Sequence, residues 1–195
     1  MVTKPFKFLA GALCLDFVNT VGAWTAEGIL REKLRGPEDL ERWTRQVPGR
    51  KGAEGKVTPK IFDRAIALRG ALHGIFECAA RKGVPAAEDL ALLTRELAMA
   101  RGHERVTYWR GGFHLRYEES PERVIWEIAG SAAALLTSGD LSRLRQCGGP
   151  DCGWMFLDTS RNRSRQWCDM KVCGNRVKAR NFRERRGAYS ERLRG

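Results

Sequence analysis

The spacing of apolar residues divides the chain into stretches of helical period and one stretch of strand period. Leu9, Leu13, Phe17 and Val21 recur at every fourth position, which predicts a helix over 9–21. Pro37-Glu38-Asp39 opens a short helix with Leu40 and Trp43 on one face. The Gly- and Lys-rich run over 47–57 has the composition of an exposed loop. Thr58-Pro59 then caps a long helix whose stripe is Ile61, Ala65, Leu68, Leu72, Ile75 and Ala79. Pro85 starts another through Leu90, Leu93, Leu97 and Ala100. Between Val106 and Tyr117 the period falls to two: Val106, Tyr108 and Arg110 precede Gly111-Gly112, and Phe113, Leu115 and Tyr117 follow. That alternation predicts a β-hairpin turned by the two glycines. A final stripe after Pro121, through Val124, Ile128, Ala132 and Leu135, ends near Ser138-Gly139. The chain up to residue 140 therefore reads as mostly helical with one hairpin.

Polar residues inside this pattern are few. Asp16 and Asn19 interrupt the apolar run Leu13–Thr20 three residues apart, so they are neighbours on a helix. Polar groups in so apolar a setting need partners. Two readings follow: a hydrogen-bonded structural pair, or a ligand-binding pocket. Arg69 on the long helix is then either their counterion or an exposed side chain. The three histidines, His73, His103 and His114, have no metal-ligand spacing. His73 reads as a helix residue and His114 as a surface residue of the hairpin. No nucleophile elbow, P-loop or dinucleotide fingerprint occurs. The expectation is a protein that is not an enzyme.

The chain has 195 residues and 43% hydrophobic content, which fits one medium domain or a domain with a small module. No apolar run approaches the roughly 20 residues that span a bilayer. No n-region, h-region and cleavage site open the chain either. The expectation is a soluble, cytoplasmic protein with no membrane partner. Charge is uneven. Of the formal +12, residues 141–195 carry +9, with 14 Lys and Arg against 5 Asp and Glu. Such asymmetry points to a polyanion partner, nucleic acid or an acidic membrane surface, against the plainer reading of a solubilising tail.

Four of the six cysteines fall in this basic segment, spaced Cys147-x4-Cys152-x15-Cys168-x4-Cys173. Cys14 and Cys78, among apolar neighbours, read as buried core thiols. Clustered cysteines in an intracellular chain signal metal more often than disulfide. Two pairs separated by fifteen residues suit a closed, all-thiolate, structural site for one Zn2+, each pair gripping from one loop and the intervening segment folding as a hairpin. The interval inside each pair is four rather than the commoner two, and a redox cluster is the competing reading. Trp154, Phe156 and Trp167 would supply a small apolar core, and Arg145, Arg165 and Lys171 would offset the thiolate charge.

A helix starting at Gly174 or Asn175 would align Arg176, Arg180 and Arg183 on one stripe, flanked by Lys178, Arg185 and Arg186. Phe182, Tyr189 and Leu193 would form a second, packing face. Such a helix can dock on phosphates and place Arg or Asn175 on base edges. Duplex DNA is the leading partner. RNA, a protein-binding face or a solvated basic helix are the alternatives.

Cys173-Gly174-Asn175-Arg176, with Trp154, Phe156, Asp158, Ser160, Arg165 and Trp167, resembles the bacterial CGNR zinc finger from Cys147 to about Arg186. Leu13-x-Leu15-Asp16-Phe17-Val18-Asn19-Thr20 looks like the opening motif of the ABATE domain, which usually precedes that finger. The resemblance implies an α+β chain with two parts. Residues 1–140 would be a helical ABATE domain that senses a ligand or dimerises, and 141–195 a treble-clef-like finger that binds DNA. It further implies a stress-related transcription regulator, with the four cysteines as zinc ligands. The partners it suggests are duplex DNA, a small-molecule effector near Asp16, Asn19 and Arg69, and a second copy of the chain, since two-fold operators mirror two-fold proteins.

Overall fold

The centre of the fold is α3 (Pro59–Ala80), whose N-terminus is capped as expected: Thr58 Oγ1 accepts the Ile61 amide at 3.3 Å. Its predicted stripe is buried from Ile61 to Ile75 and widened by Ala71 and Phe76. In this computed structural model, residues 5–50 and 55–192 are described, with side chains through 185. They form an α+β chain of six α-helices and three two-stranded antiparallel sheets among the described residues.

Helices α1 (Leu13–Val18), α2 (Pro37–Gln46), α4 (Ala87–Gly102) and α5 (Arg123–Leu136) pack around α3 and one another. Each buried Leu, Ile or Phe removed from water contributes about 1.5–3 kcal/mol, and α5 alone buries Val124, Ile125, Ile128 and Leu135. On α2, Leu40 and Trp43 are fully buried, with the Trp43 indole edge-on to Phe17 at 5.2 Å. Helix α4 is amphipathic with a polar insertion, since Glu96 is buried and takes Arg64 of α3 at 2.8 Å.

Two expectations are corrected. The helix over 9–21 spans only Leu13–Val18: Ala10 is drawn into strand-like pairing, its carbonyl accepting the Leu157 amide at 2.8 Å. At the other end, Val21 opens strand β1 (Val21–Thr25), which pairs with β2 (Gly28–Glu32). The hairpin predicted around 106–117 is present as β3 (Glu104–Trp109) and β4 (Gly112–Tyr117), but its turn is Arg110-Gly111, both in the left-handed region. A two-residue turn with positive φ at both positions matches strand twist, so Gly112 belongs to the strand. One face of this ribbon, Val106, Tyr108, Phe113 and Leu115, is 59–79% exposed.

After α5, a 3-10 turn (Gly139–Arg143) leads into β5 (Leu144–Gln146), paired with β6 (Met155–Leu157). Leu144, Met155, Phe156 and Leu157 belong to the same buried cluster as Leu15, Phe17 and Ile75. Among the described residues no helix is long and apolar enough to cross a membrane.

Candidate zinc centre and basic helix

Cys147 follows β5 and Cys152 precedes β6, so the first cysteine pair sits at the tip of the β5–β6 hairpin, where the Cys147 amide donates to Trp154 O at 2.8 Å. The hairpin expected between the two pairs is therefore found around the first pair, and residues 158–167 return as a loop. Buried Asp158 organises that loop, accepting the Ser160 amide at 2.9 Å, the Ser160 hydroxyl at 2.5 Å and the Arg165 amide at 3.0 Å. These hydrogen bonds, those from Ser160 first, hold its carboxyl below the usual carboxylate range. The Arg165 guanidinium lies 4.3 Å from the Phe156 ring centroid and donates to the carbonyls of Trp167, at 3.0 Å, and Cys168. The loop thus carries Cys168 back to the hairpin tip. Cys173 follows in a π-helical turn (Met170–Gly174) whose start is capped by the Asp169 carboxylate.

The four sulfurs lie within 4.8 Å of one another, with Cys152–Cys168 and Cys168–Cys173 separations of 3.7 Å. A tetrahedron with Zn–S bonds of about 2.3 Å has edges of about 3.8 Å, so the donor set fits the ion. The amides of Gly149 and Cys168 donate to Cys147 Sγ at 3.4 and 3.3 Å. Hydrogen bonds from Cys152 and Cys168 drive the Cys147 thiol far down. Its bonds and charge raise Cys152 and Cys168, while burial raises Cys173. Four sulfurs this close repel one another as thiolates, so the set suits a divalent cation. All four positions are filled by protein, as in structural zinc sites. Gly153, at φ +63, lets the centre abut β1: a Cβ there would lie 2.4 Å from Trp24 O, and the Trp24 amide donates to Cys152 O at 2.9 Å.

Helix α6 (Asn175–Arg192) continues directly from the π-helical turn. Val177 is half-buried and every residue from Lys178 to Arg185 is exposed, so the helix leaves the body as a cationic rod. Asn175, Arg176, Lys178, Arg180, Arg183 and Arg185 are all exposed. Arg176, Arg180 and Arg183 line one shallow groove with Pro150 of the zinc loop, as the stripe implied. Arg180 pairs with Glu184 at 2.8 Å, and Asn175 Nδ2 donates to Lys171 O at 3.1 Å. Phe182, expected to pack, is 61% exposed because α6 runs beyond the body there. The side chains of Arg186, Tyr189 and Leu193 lie outside the described residues.

Residues 143–186 match the CGNR zinc finger, and residues 11–139 match the ABATE family, described as a putative stress-induced transcription regulator. The chain belongs to the ABATE family. A CGNR zinc finger holding a single zinc ion follows the ABATE domain. No curated protein matches the chain.

Within the ABATE domain, Asp16, Asn19 and Arg69 do not converge. The Asp16 carboxylate accepts the Ala10 amide at 3.0 Å. Asn19 is buried and bonded to Met155 of the finger. Arg69, neither exposed nor a counterion to that pair, is buried against Glu32 at 2.8 Å and Thr20 at 3.1 Å. Each is engaged by a partner of its own, with Arg69 Nε left buried and unpaired. His73 stacks on Trp24 at 3.8 Å, with burial lowering its pKa. Cys14 is buried, its thiol pushed up to about 12, whereas Cys78 is only partly covered.

What sequence reasoning missed is a cavity of about 450 Å³ between the ABATE domain and the finger. Phe6, Arg31, Lys33, Trp154, Val172 and Arg176 are among its walls. Lys33 Nζ lies 4.5 Å from the Trp154 ring centroid, and burial lowers its pKa to about 8. The run Arg31-Glu32-Lys33-Leu34-Arg35 was a signal of basic density outside the finger, but its position beside the zinc loop depends on the β1–β2 hairpin.

Proposed function

We propose that this ABATE-family protein is a DNA-binding transcription regulator rather than an enzyme, with α6 of the zinc finger as its DNA-contacting element. The observation that carries this reading is the mounting of α6. Its base is tied to the zinc through Cys173, while its cationic residues from Lys178 to Arg185 project free of the body. A rigidly rooted, exposed basic helix can reach phosphates and base edges in a major groove. The closed four-cysteine centre supports a structural ion rather than a catalytic one. The ABATE domain would then sense a small-molecule effector. The exposed apolar face of the β3–β4 ribbon is the surface that best suits the homodimer a palindromic site would need.

The test is fluorescence anisotropy of labelled random-sequence duplex DNA across a salt series, with zinc-loaded and chelated protein. Each phosphate neutralised should add about 0.9 to the slope of log affinity against log salt. Arg176→Ala and Arg180→Ala should weaken binding with zinc content unchanged. Absence of binding at low salt would sink the reading and leave α6 as a protein-binding face. Tighter binding to single-stranded RNA than to the duplex would move the partner to RNA.

A further inference from the structure

The cavity between the hairpin β1–β2, the extended segment at 5–7 and the zinc centre has the size of small-molecule sites, ~300–1,000 Å³. Its apolar wall is formed by Phe6, Trp154 and Val172. Six cations and three carboxylates also line it, and most are spoken for. Glu32 is neutralised from behind by Arg69, and Asp169 takes Lys7 at 2.6 Å. Arg35 and Arg42 share Asp39, at 3.1 and 2.6 Å. Arg31, Lys33 and Arg176 remain around the apolar wall with Asp151 as the one uncommitted carboxylate in the lining.

The local backbone is built to place Arg31 there. Pairing of β1 with β2 is interrupted between Val21↔Glu32 and Ala23↔Leu30, and at that break Arg31 adopts φ 58. A non-glycine residue in the left-handed region is strained, and such outliers concentrate at ligand clamps. Lys33 Nζ, on the same stretch, makes one long hydrogen bond, 3.4 Å to Asn19 O. Its ammonium therefore has most of its donor capacity left for an acceptor in the cavity.

We propose that this cavity binds a small organic anion: an apolar ring or chain lying along Trp154 and Phe6, with an acidic headgroup held by Arg31, Lys33 and Arg176. The regulatory consequence rests on the DNA-binding reading above. Arg176 lines both this cavity and the groove of α6 that includes Arg180 and Arg183. An occupant that engages Arg176 withdraws a cation from the DNA face, so effector and DNA oppose one another.

The experiment uses the full, zinc-loaded chain and two dyes that share one aromatic body, 8-anilinonaphthalene-1-sulfonate and neutral N-phenyl-1-naphthylamine. Saturable one-to-one binding of the sulfonate is expected, about tenfold tighter than the neutral amine. Arg31→Gly removes the charge and suits the left-handed backbone, and Lys33→Gln keeps the side-chain length. Each should weaken the sulfonate about fivefold and leave the amine unchanged. Equal affinity for the two dyes, or sulfonate binding indifferent to both variants, overturns the site. Duplex affinity measured at saturating sulfonate should fall severalfold, and an unchanged value overturns the opposition to DNA. Dye binding retained in a protein that binds no duplex would sink the DNA reading alone.

Discussion

The Asn19 carboxamide satisfies both backbone groups of Met155, its Nδ2 donating to the carbonyl at 2.8 Å and its Oδ1 accepting the amide at 3.0 Å. Strand β6 is paired with β5 along one edge, and along the other Asn19 and the Ala10 carbonyl stand in for a third strand. A side chain of the ABATE domain's opening motif thereby completes the sheet of the zinc finger. Replacing it with alanine leaves a buried N–H and a buried carbonyl without partners, each worth about 1–3 kcal/mol. Asn19→Ala should cost roughly 2–4 kcal/mol in urea unfolding and speed hydrogen exchange at the Met155 amide. Wild-type exchange at that amide would show that solvent replaces the carboxamide at no cost.

Burial pushes the Asp16 carboxyl up to about 6, in spite of the Ala10 and Leu9 amides that bond to it. A folded-state value raised above the unfolded one means that the native state holds the proton more tightly. The group's contribution is complete below the unfolded pKa, near 4, and is lost as pH rises through about 6. Between pH 7.5 and 5 the wild type should therefore gain about 1 kcal/mol of stability that Asp16→Asn does not. The quantity to read is the difference between the two proteins at each pH, which cancels the effect of zinc release in acid. A flat difference across that window would mean that the carboxyl titrates normally.

The parts legible in the sequence are those whose determinants are local. The stripes of α3 and α5 follow helical period, and the cysteine spacing places four sulfurs within reach of one ion. The β1–β2 hairpin left no such trace, since β2 is exposed at all five positions and offers no alternation of apolar and polar residues. It is anchored instead by Trp24, whose amide reaches Cys152 and whose indole donates to Val18 O at 3.0 Å. The partners of the polar residues are hidden for the same reason. Asn19 meets a partner 136 residues away, and Arg69 one 37 residues away. Sequence spacing identifies such residues as needing partners without saying which ones.

Zinc removal should reach beyond the finger. Met155 and Phe156 share one buried cluster with Phe17 and Ile75, so loosening the hairpin tip exposes the wall against which α1 packs. Structural zinc contributes about 10–16 kcal/mol in isolated fingers, comparable with the entire stability of a typical domain, about 5–15 kcal/mol. Cys168→Ser should lose stoichiometric zinc and reduce amide protection in α1 as well as in β6. Protection in α1 that survives while β6 opens would make the ABATE domain an independent folding unit.

Glu184 sets an acidic group among the arginines of the basic helix. Glu184 holds Arg180 at 2.8 Å, with both side chains about 60% exposed, so solvent screening leaves the pair little effect on stability. For DNA binding its effect is larger, because the carboxylate both occupies Arg180 and repels phosphate. Glu184→Gln should tighten duplex binding about threefold or more at low salt and steepen the salt dependence by up to about 0.9, the increment for one further phosphate. Loss of the i,i+4 pair lowers helix stability slightly, which circular dichroism would register separately. A salt slope that stays the same with the helix intact would show that Arg180 does not reach a phosphate, and would confine the DNA face to Arg176 and Arg183.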